Sequence, residues 1–423
     1  MFSRLCLTIF SAIFWFSGSL LFPDSAKAVV NLPPQHLAET VVQNKTSAET
    51  VSPKTALERL FTAKEIKSYW FAPIFVNQIP VEQVTLIIAD IKKQLGTYQE
   101  VKQNGNDYLI ILSKGSVPTK IVLNSKKQIT GLLFQAPNLK IASLEKALAE
   151  FKALPGKVSF LVKEDESTLA ELNSNNPLAV GSAFKLAVLQ ALQQEITLGK
   201  RSWSDVVTFN AESKSLPSGI LQNWPDGSLL TIQTLATLMI SVSDNTATDI
   251  LINLLGKDSL ELISPRNRPF LTTRELFVLK GSQNRKLLED YRKANLAKRK
   301  SLLVELAKFP LPDVREFEGT NPVAIDSLEW FFTAEELCRA IKEVENLPLM
   351  GVNPGLANPN DWEKIAFKGG SEPGVLSLTS WLQGKNGKNY CVVATWNNKN
   401  ASLDESKFFA TYTGVLSLLA ERK

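Results

Sequence analysis

Histidine is almost missing from this chain: its 423 residues include one, His36. Imidazole is the usual proton carrier near neutral pH, so any ionic chemistry here has to run on other groups. His36 itself lies in 29–53, a polar, proline-marked stretch that reads as a linker. Cysteine is scarce too, at three residues. That number rules out a disulfide framework and, with a single histidine, a Cys/His metal site. No other residue pattern calls for a metal or an organic cofactor. A long apolar run occurs once, at residues 5–22, after a basic MFSR start and before Ala26-Lys27-Ala28. It predicts a secretory signal over 1–28, cut after Ala28; the alternative is an uncleaved anchor. No later run is long enough to span a bilayer. Strong charge is also lacking, since removing the signal lowers the net charge from +5 to +4. So mild an excess is no argument for nucleic acid, which is not expected as a partner. The densest basic stretch, 285–300, is interleaved with acids and reads as a solvated helix face. The expected location is periplasmic or extracellular. Cys6 leaves with the signal; Cys338 and Cys391 are expected as buried free thiols, the alternative being that they pair outside the cytoplasm.

What the chain does have is an α+β pattern in two parts. Over 54–96, apolar residues recur at helical spacing, and four strand-like runs follow (TYQEVKQ, DYLIILS, TKIVLN, ITGLLFQ), split by turn residues at 104–106 and 124–128. These predict a small α+β domain over 54–138. A second domain, 141–423, opens with a helix and a strand (KVSFLVKE). It continues through a mostly helical stretch over 182–345 and closes with strands at 364–368, 374–383 and 389–397 and a last helix. Both ends of this domain therefore build one antiparallel sheet, with an all-helical insertion beside it.

Within the second part, VGSAFKLAVL places Lys185 inside an apolar helix, three residues after Ser182. Positions i and i+3 share a helix face. A serine hydroxyl is a weak nucleophile unless a base takes its proton. Lysine serves as that base when burial or a nearby cation lowers its pKa, and a drop of about three asks roughly 4 kcal/mol of the surroundings. The spacing alone is weak, because Ser143 and Lys146 repeat it where Ser143 reads as a helix N-cap. Two further triplets stand in order, Ser243-Asp244-Asn245 and Lys368-Gly369-Gly370; Lys114-Gly115-Ser116 is a lone decoy.

Ser-x-x-Lys, Ser-Asp-Asn and Lys-(Thr/Ser/Gly)-Gly, in that order, form the signature of penicillin-recognising serine enzymes. With the stretch WPDGSLLTIQTLATLMISVSDNTATDILINLLG around the second triplet, the chain resembles the class A β-lactamase-like superfamily. VGSAFKLAVL, SPRNRPFLTTRELFVLK and FKGGSEPGVL resemble a subgroup typified by the clavulanic-acid-cluster β-lactamase-like protein, in which a steroid-isomerase-like (cystatin/NTF2-like) domain precedes the catalytic one. The resemblance implies a β-lactamase/transpeptidase-like fold. It implies Ser182 as acylated nucleophile, Lys185 as its base, Ser243 as proton donor to the leaving nitrogen and Asn245 as brace for substrate and lysine. It also implies Lys368 as partner of the substrate carboxylate, Gly369 and Gly370 as the close-approach strand, and the N–H groups of Ser182 and Ser371 as the oxyanion hole.

Two departures qualify that picture. Gly369 stands where the family usually has a hydroxyl residue, and the Glu-x-x-Leu-Asn pentad that activates the deacylating water is absent from 246–367. Glu316 and Glu318 are the candidate replacements. The expected activity is therefore an exported active-site-serine hydrolase acting on β-lactams. The alternatives are an esterase or D-Ala-D-Ala-type peptidase with slow deacylation, and a non-enzymatic binding protein. The substrate would be a small β-lactam, an acyl ester or a cell-wall peptide.

Overall fold

In the computed structural model, the described residues are 51–135, 137–317, 321–401 and 403–422. The predicted signal, His36 and all but the last residues of the linker lie outside them, as does Glu318. Helix α1 (Pro53–Thr62) starts where Ser52 Oγ accepts from Thr55 N and proline occupies the first turn. After the single turn α2 (Pro73–Val76), helix α3 (Val81–Leu95) buries Val84, Ile88, Ile91 and Leu95 at its helical period and stops at Gly96, whose φ of 84° suits glycine. Strands β1 (Tyr98–Asn104), β2 (Asp107–Leu112), β3 (Gly115–Leu123) and β4 (Ile129–Phe134) form an antiparallel meander in that order. Leu57, Phe61, Ile88, Val101, Ile110 and Val117 share the core between helices and meander.

A two-residue strand absent from the sequence reading, β5 (Asn138–Leu139), returns to pair with β3. It also meets the last helix of the chain: Thr413 Oγ1 donates to Pro137 O at 2.9 Å, and a Cβ on Gly414 would stand 2.3 Å from Leu139 O. The junction between the two sheets is thus a packed contact inside the single unit Ser52–Lys423.

The second sheet has the order β12-β13-β14-β6-β7 and is antiparallel throughout. Its strands are β6 (Lys157–Glu164), β7 (Ser167–Leu172), β12 (Trp362–Glu372), β13 (Val375–Gly384) and β14 (Asn389–Asn397). Chain start and chain end of the domain do meet in one sheet, with β14 beside β6. The sequence reading passes over β7, whose side chains are half-buried or exposed, as befits an edge strand. β13 and β14 are buried on both faces, with Ser377, Thr379, Ser380 and Thr395 buried among their apolar residues. Phe160, Val392, Ala394 and Trp396 face helices α4 (Leu144–Lys152) and α13 (Glu405–Ala420). Leu161, Cys391 and Val393, the alternate residues, face the helical layer.

That layer is built on α5 (Lys185–Thr197), α6 (Ile232–Ser241), α7 (Asn245–Leu255), α8 (Lys257–Ile263), α9 (Thr273–Lys280), α10 (Arg285–Lys293), α11 (Leu296–Leu306) and α12 (Ala334–Val344). Two short antiparallel pairs accompany it: β8 (Leu178–Ala179) with β11 (Phe331–Phe332), and β9 (Val206–Thr208) with β10 (Leu229–Thr231). The basic stretch 285–300 forms α10 and the start of α11, largely solvated. No described helix is long and apolar enough to cross a membrane.

One expectation is corrected here. Cys338 on α12 and Cys391 on β14 are disulfide-bonded, not free thiols, with Cα atoms 6.0 Å apart. They are 53 residues apart in sequence, and only the packing of α12 across the sheet brings them together. Closing so long a loop restricts the unfolded chain by about 4 kcal/mol in the chain-entropy model. Cys391→Ala is expected to lower stability by roughly 2–4 kcal/mol in urea unfolding, and reductant should destabilise the wild type but not the variant.

Candidate active site

Asn397 fixes the approach to Ser182: its amide oxygen accepts from Ala179 N and its amide nitrogen donates to Ala179 O, each at 2.9 Å. The chain then turns at Gly181, with φ 48°, into a 3-10 turn over Gly181–Phe184 that runs straight into α5. Ser182 stands half-buried on that turn and Lys185 is the first residue of α5, wholly buried. Phe184 stacks on Trp330 with ring centroids 3.7 Å apart, which braces the turn from beneath.

The lysine's donors point to the second triplet. Lys185 Nζ donates to Asn245 Oδ1 at 2.7 Å, to Ser243 O at 2.6 Å and to Ser243 Oγ at 3.1 Å. The loop that presents these acceptors is itself held from outside. Ser243 takes φ 56°, a left-handed backbone that costs a non-glycine residue on the order of 1 kcal/mol. Asp244 caps α7 through Ala247 N and accepts from Ile220 N and Leu221 N at 2.7 and 2.8 Å. Ser218 Oγ donates to Ser243 O, and Asn245 Nδ2 donates to Leu216 O. Segment 216–221 is therefore the cradle of the triplet, and a Cβ on Gly219 would collide with Asp244. The sequence reading passes over this cradle, whose only local sign is Pro217-Ser218-Gly219.

The third triplet arrives on β12. Lys368 Nζ donates to Ser243 Oγ at 3.1 Å and to Gly369 O, so Ser243 Oγ sits between two lysines. Gly370 is needed for space: a Cβ there would stand 2.2 Å from Val180 O and 2.4 Å from Ser182 N. β12 is the sheet edge, so every second N–H points away from β13. That of Ser371 lies on the Gly181 side, where a Cβ on Gly181 would come within 3.1 Å of the nitrogen. The amides of Ser182 and Ser371 thus border the same small gap. Gly369 faces Phe367 and Leu378.

Electrostatics follow from burial. Desolvation, then the charge of Lys368, holds Lys185 well below the ordinary lysine range, against an opposing pull from Asp244 and Asp249. Burial brings Lys368 down to about 7. Burial also raises Asp249 to about 7 although Thr273 N, Thr273 Oγ1 and Arg274 N all donate to it. The structure thus brings Ser182, Lys185, Ser243, Asn245, Lys368, Gly370 and Ser371 together. Glu316 sits exposed on the turn Val314–Phe317, and its carboxylate accepts from Ser282 N at 2.7 Å. Ser143 of the decoy pair is an N-cap accepting from Lys146 N.

Two measurements check this electrostatic picture. In lysine-labelled protein followed by NMR, Lys368 should titrate near pH 7. Lys368→Ala removes one of the two influences that depress Lys185, so the Lys185 titration should move to higher pH. An unchanged Lys185 curve would show that burial alone sets it.

Residues 142–284 match the model described as "Beta-lactamase enzyme family". Among solved structures, the chain is similar to a β-lactamase from Sphaerobacter thermophilus (TM-score 0.46, 20% identity, covering 66% of this chain and 97% of that one). It is also similar to a β-lactamase from Xanthomonas campestris pv. campestris (0.45, 16%, 66% and 96%) and to PBP-A (0.43, 15%, 68% and 100%). A search of curated proteins finds no match. The matched segment takes in Ser182, Lys185, Ser243 and Asn245.

Proposed function

We propose that the protein is an exported hydrolase that forms an acyl-enzyme on Ser182 and opens the amide bond of β-lactams. The observation that carries this reading is the wholly buried Lys185 amine, hydrogen-bonded to Ser243 and Asn245 one turn after Ser182. Burial and the charge of Lys368 make that amine release its proton more readily than an ordinary lysine, as a general base requires. In the first half-reaction, Ser182 Oγ attacks the substrate carbonyl and its proton passes to Lys185. The developing oxyanion is met by the N–H groups of Ser182 and Ser371. As the carbon–nitrogen bond breaks, the proton moves from Lys185 through Ser243 to the leaving nitrogen. Lys368 meets the substrate carboxylate, and Asn245 aligns the substrate amide and the lysine. In the second half-reaction, water displaces Ser182 Oγ, which recovers a proton.

Export is supported by the disulfide, since such bonds persist in oxidising compartments. The first sheet and its helices, 54–138, are proposed as an accessory domain of steroid-isomerase-like type, supported by helices packed on an antiparallel meander. Glu316 and Glu318 remain the named candidates for activating the deacylating water. A second reading, a D-Ala-D-Ala-type peptidase or esterase that deacylates slowly, is favoured by the missing pentad. Comparing hydrolysis of nitrocefin, p-nitrophenyl acetate and a D-Ala-D-Ala peptide separates the two. If none is turned over and none labels the protein, a binding function replaces both.

Incubation with a fluorescent penicillin should label the wild type covalently and leave Ser182→Ala unlabelled; equal labelling rejects the nucleophile assignment. Intact-mass measurements over time then give deacylation, with a persistent adduct pointing to the peptidase reading. For a turned-over substrate bearing a carboxylate, KM should rise as pH climbs through about 7, because Lys368 loses its charge there.

A further inference from the structure

A third buried lysine lies outside the constellation above. Lys280, the last residue of α9, has a side chain only 2% exposed. Its Nζ donates to Glu329 Oε1 and to both carboxylate oxygens of Glu372, at 2.7 and 2.8 Å. The Glu329 side chain is fully buried and that of Glu372 is 18% exposed. Taking three ionisable groups out of water costs several kcal/mol each before their attraction offsets it, and a core of apolar groups would be no less stable. Such a cluster therefore calls for a geometric explanation.

Each carboxyl is anchored to one wall of the gap beside Ser182. Glu329 precedes Trp330, whose carbonyl accepts from Val180 N at 3.1 Å and whose ring stacks on Phe184. The next residues, β11, pair with β8, which leads into Ser182. Glu329 thus belongs to the strip that frames the nucleophile's turn. Glu372 is the residue after Ser371 on β12, and strand alternation puts its side chain on the same face as Lys368 and Gly370. Lys280 joins these two strips from a third element. The two carboxyls also face one another; burial, reinforced by Glu329, raises Glu372 well above the carboxylate range.

We infer that Lys280, through Glu329 and Glu372, is a positioning residue that clamps the two walls of the acylation gap and fixes the separation of the Ser182 and Ser371 N–H groups. This rests on the reading of Ser182 as nucleophile. The test severs one arm. Glu372→Leu cuts the tie to β12 and leaves a balanced Lys280–Glu329 pair; Glu372→Gln keeps an acceptor for Lys280. Thermal unfolding of both variants establishes that they fold. With a penicillin, Glu372→Leu should acylate about 100-fold more slowly with little change in initial binding, the scale of losing one oxyanion donor. Glu372→Gln should stay within about threefold of wild type. Wild-type acylation by the leucine variant, or equal loss in both variants, overturns the clamp. Hydrogen exchange of the 181–184 and 369–372 amides is followed in parallel. If the wild type does not acylate, the serine reading fails by itself, and exchange decides the clamp: faster exchange in Glu372→Leu alone sustains it, unchanged exchange refutes it.

Discussion

The site depends on one amine kept out of water. In the proposed mechanism Lys185 serves as a base only while its charge is disfavoured, and the chain disfavours it with a dry helix and a second lysine nearby. Neither device works without acceptors to hold the amine in place. Ser243 and Asn245 supply them, and the left-handed turn at Ser243 is what lets a backbone carbonyl and a side-chain hydroxyl converge on one nitrogen.

Buried charge elsewhere obeys the same economy with the opposite outcome. Asp244 keeps its place by accepting three backbone N–H groups, and in doing so pins segment 216–221 beneath the triplet. Lys280 is surrounded by two carboxyls and stays protonated, its pKa raised by them against the pull of burial. Two lysines in one domain are thus driven apart in character by their neighbours, one toward the free amine and one toward a permanent cation. Composition does not distinguish them; partners do.

Much of the fold is legible in the chain because its sheet strands are rich in apolar residues, while the helices show clean periodicity and, at Ser143, a cap. The triplets are legible for a different reason: a lysine inside VGSAFKLAVL and glycines before Ser371 violate the local pattern, and such violations mark chemistry. Edge strand β7 escapes notice because half-exposed residues carry no strong alternation, and β5 because two residues carry no period at all.

The sequence by itself determined which groups are available: a serine, a lysine inside an apolar helix and a second lysine before two glycines, no usable imidazole, and strands at both ends of one domain. Only the tertiary structure decided their partners. The pairing of Cys338 with Cys391, the bridge from Lys280 to Glu329 and Glu372, and the seat of Asp244 under residues 216–221 all join positions tens of residues apart. Local pattern records how a residue sits on its own helix or strand, whereas a hydrogen bond across elements is set by how those elements pack.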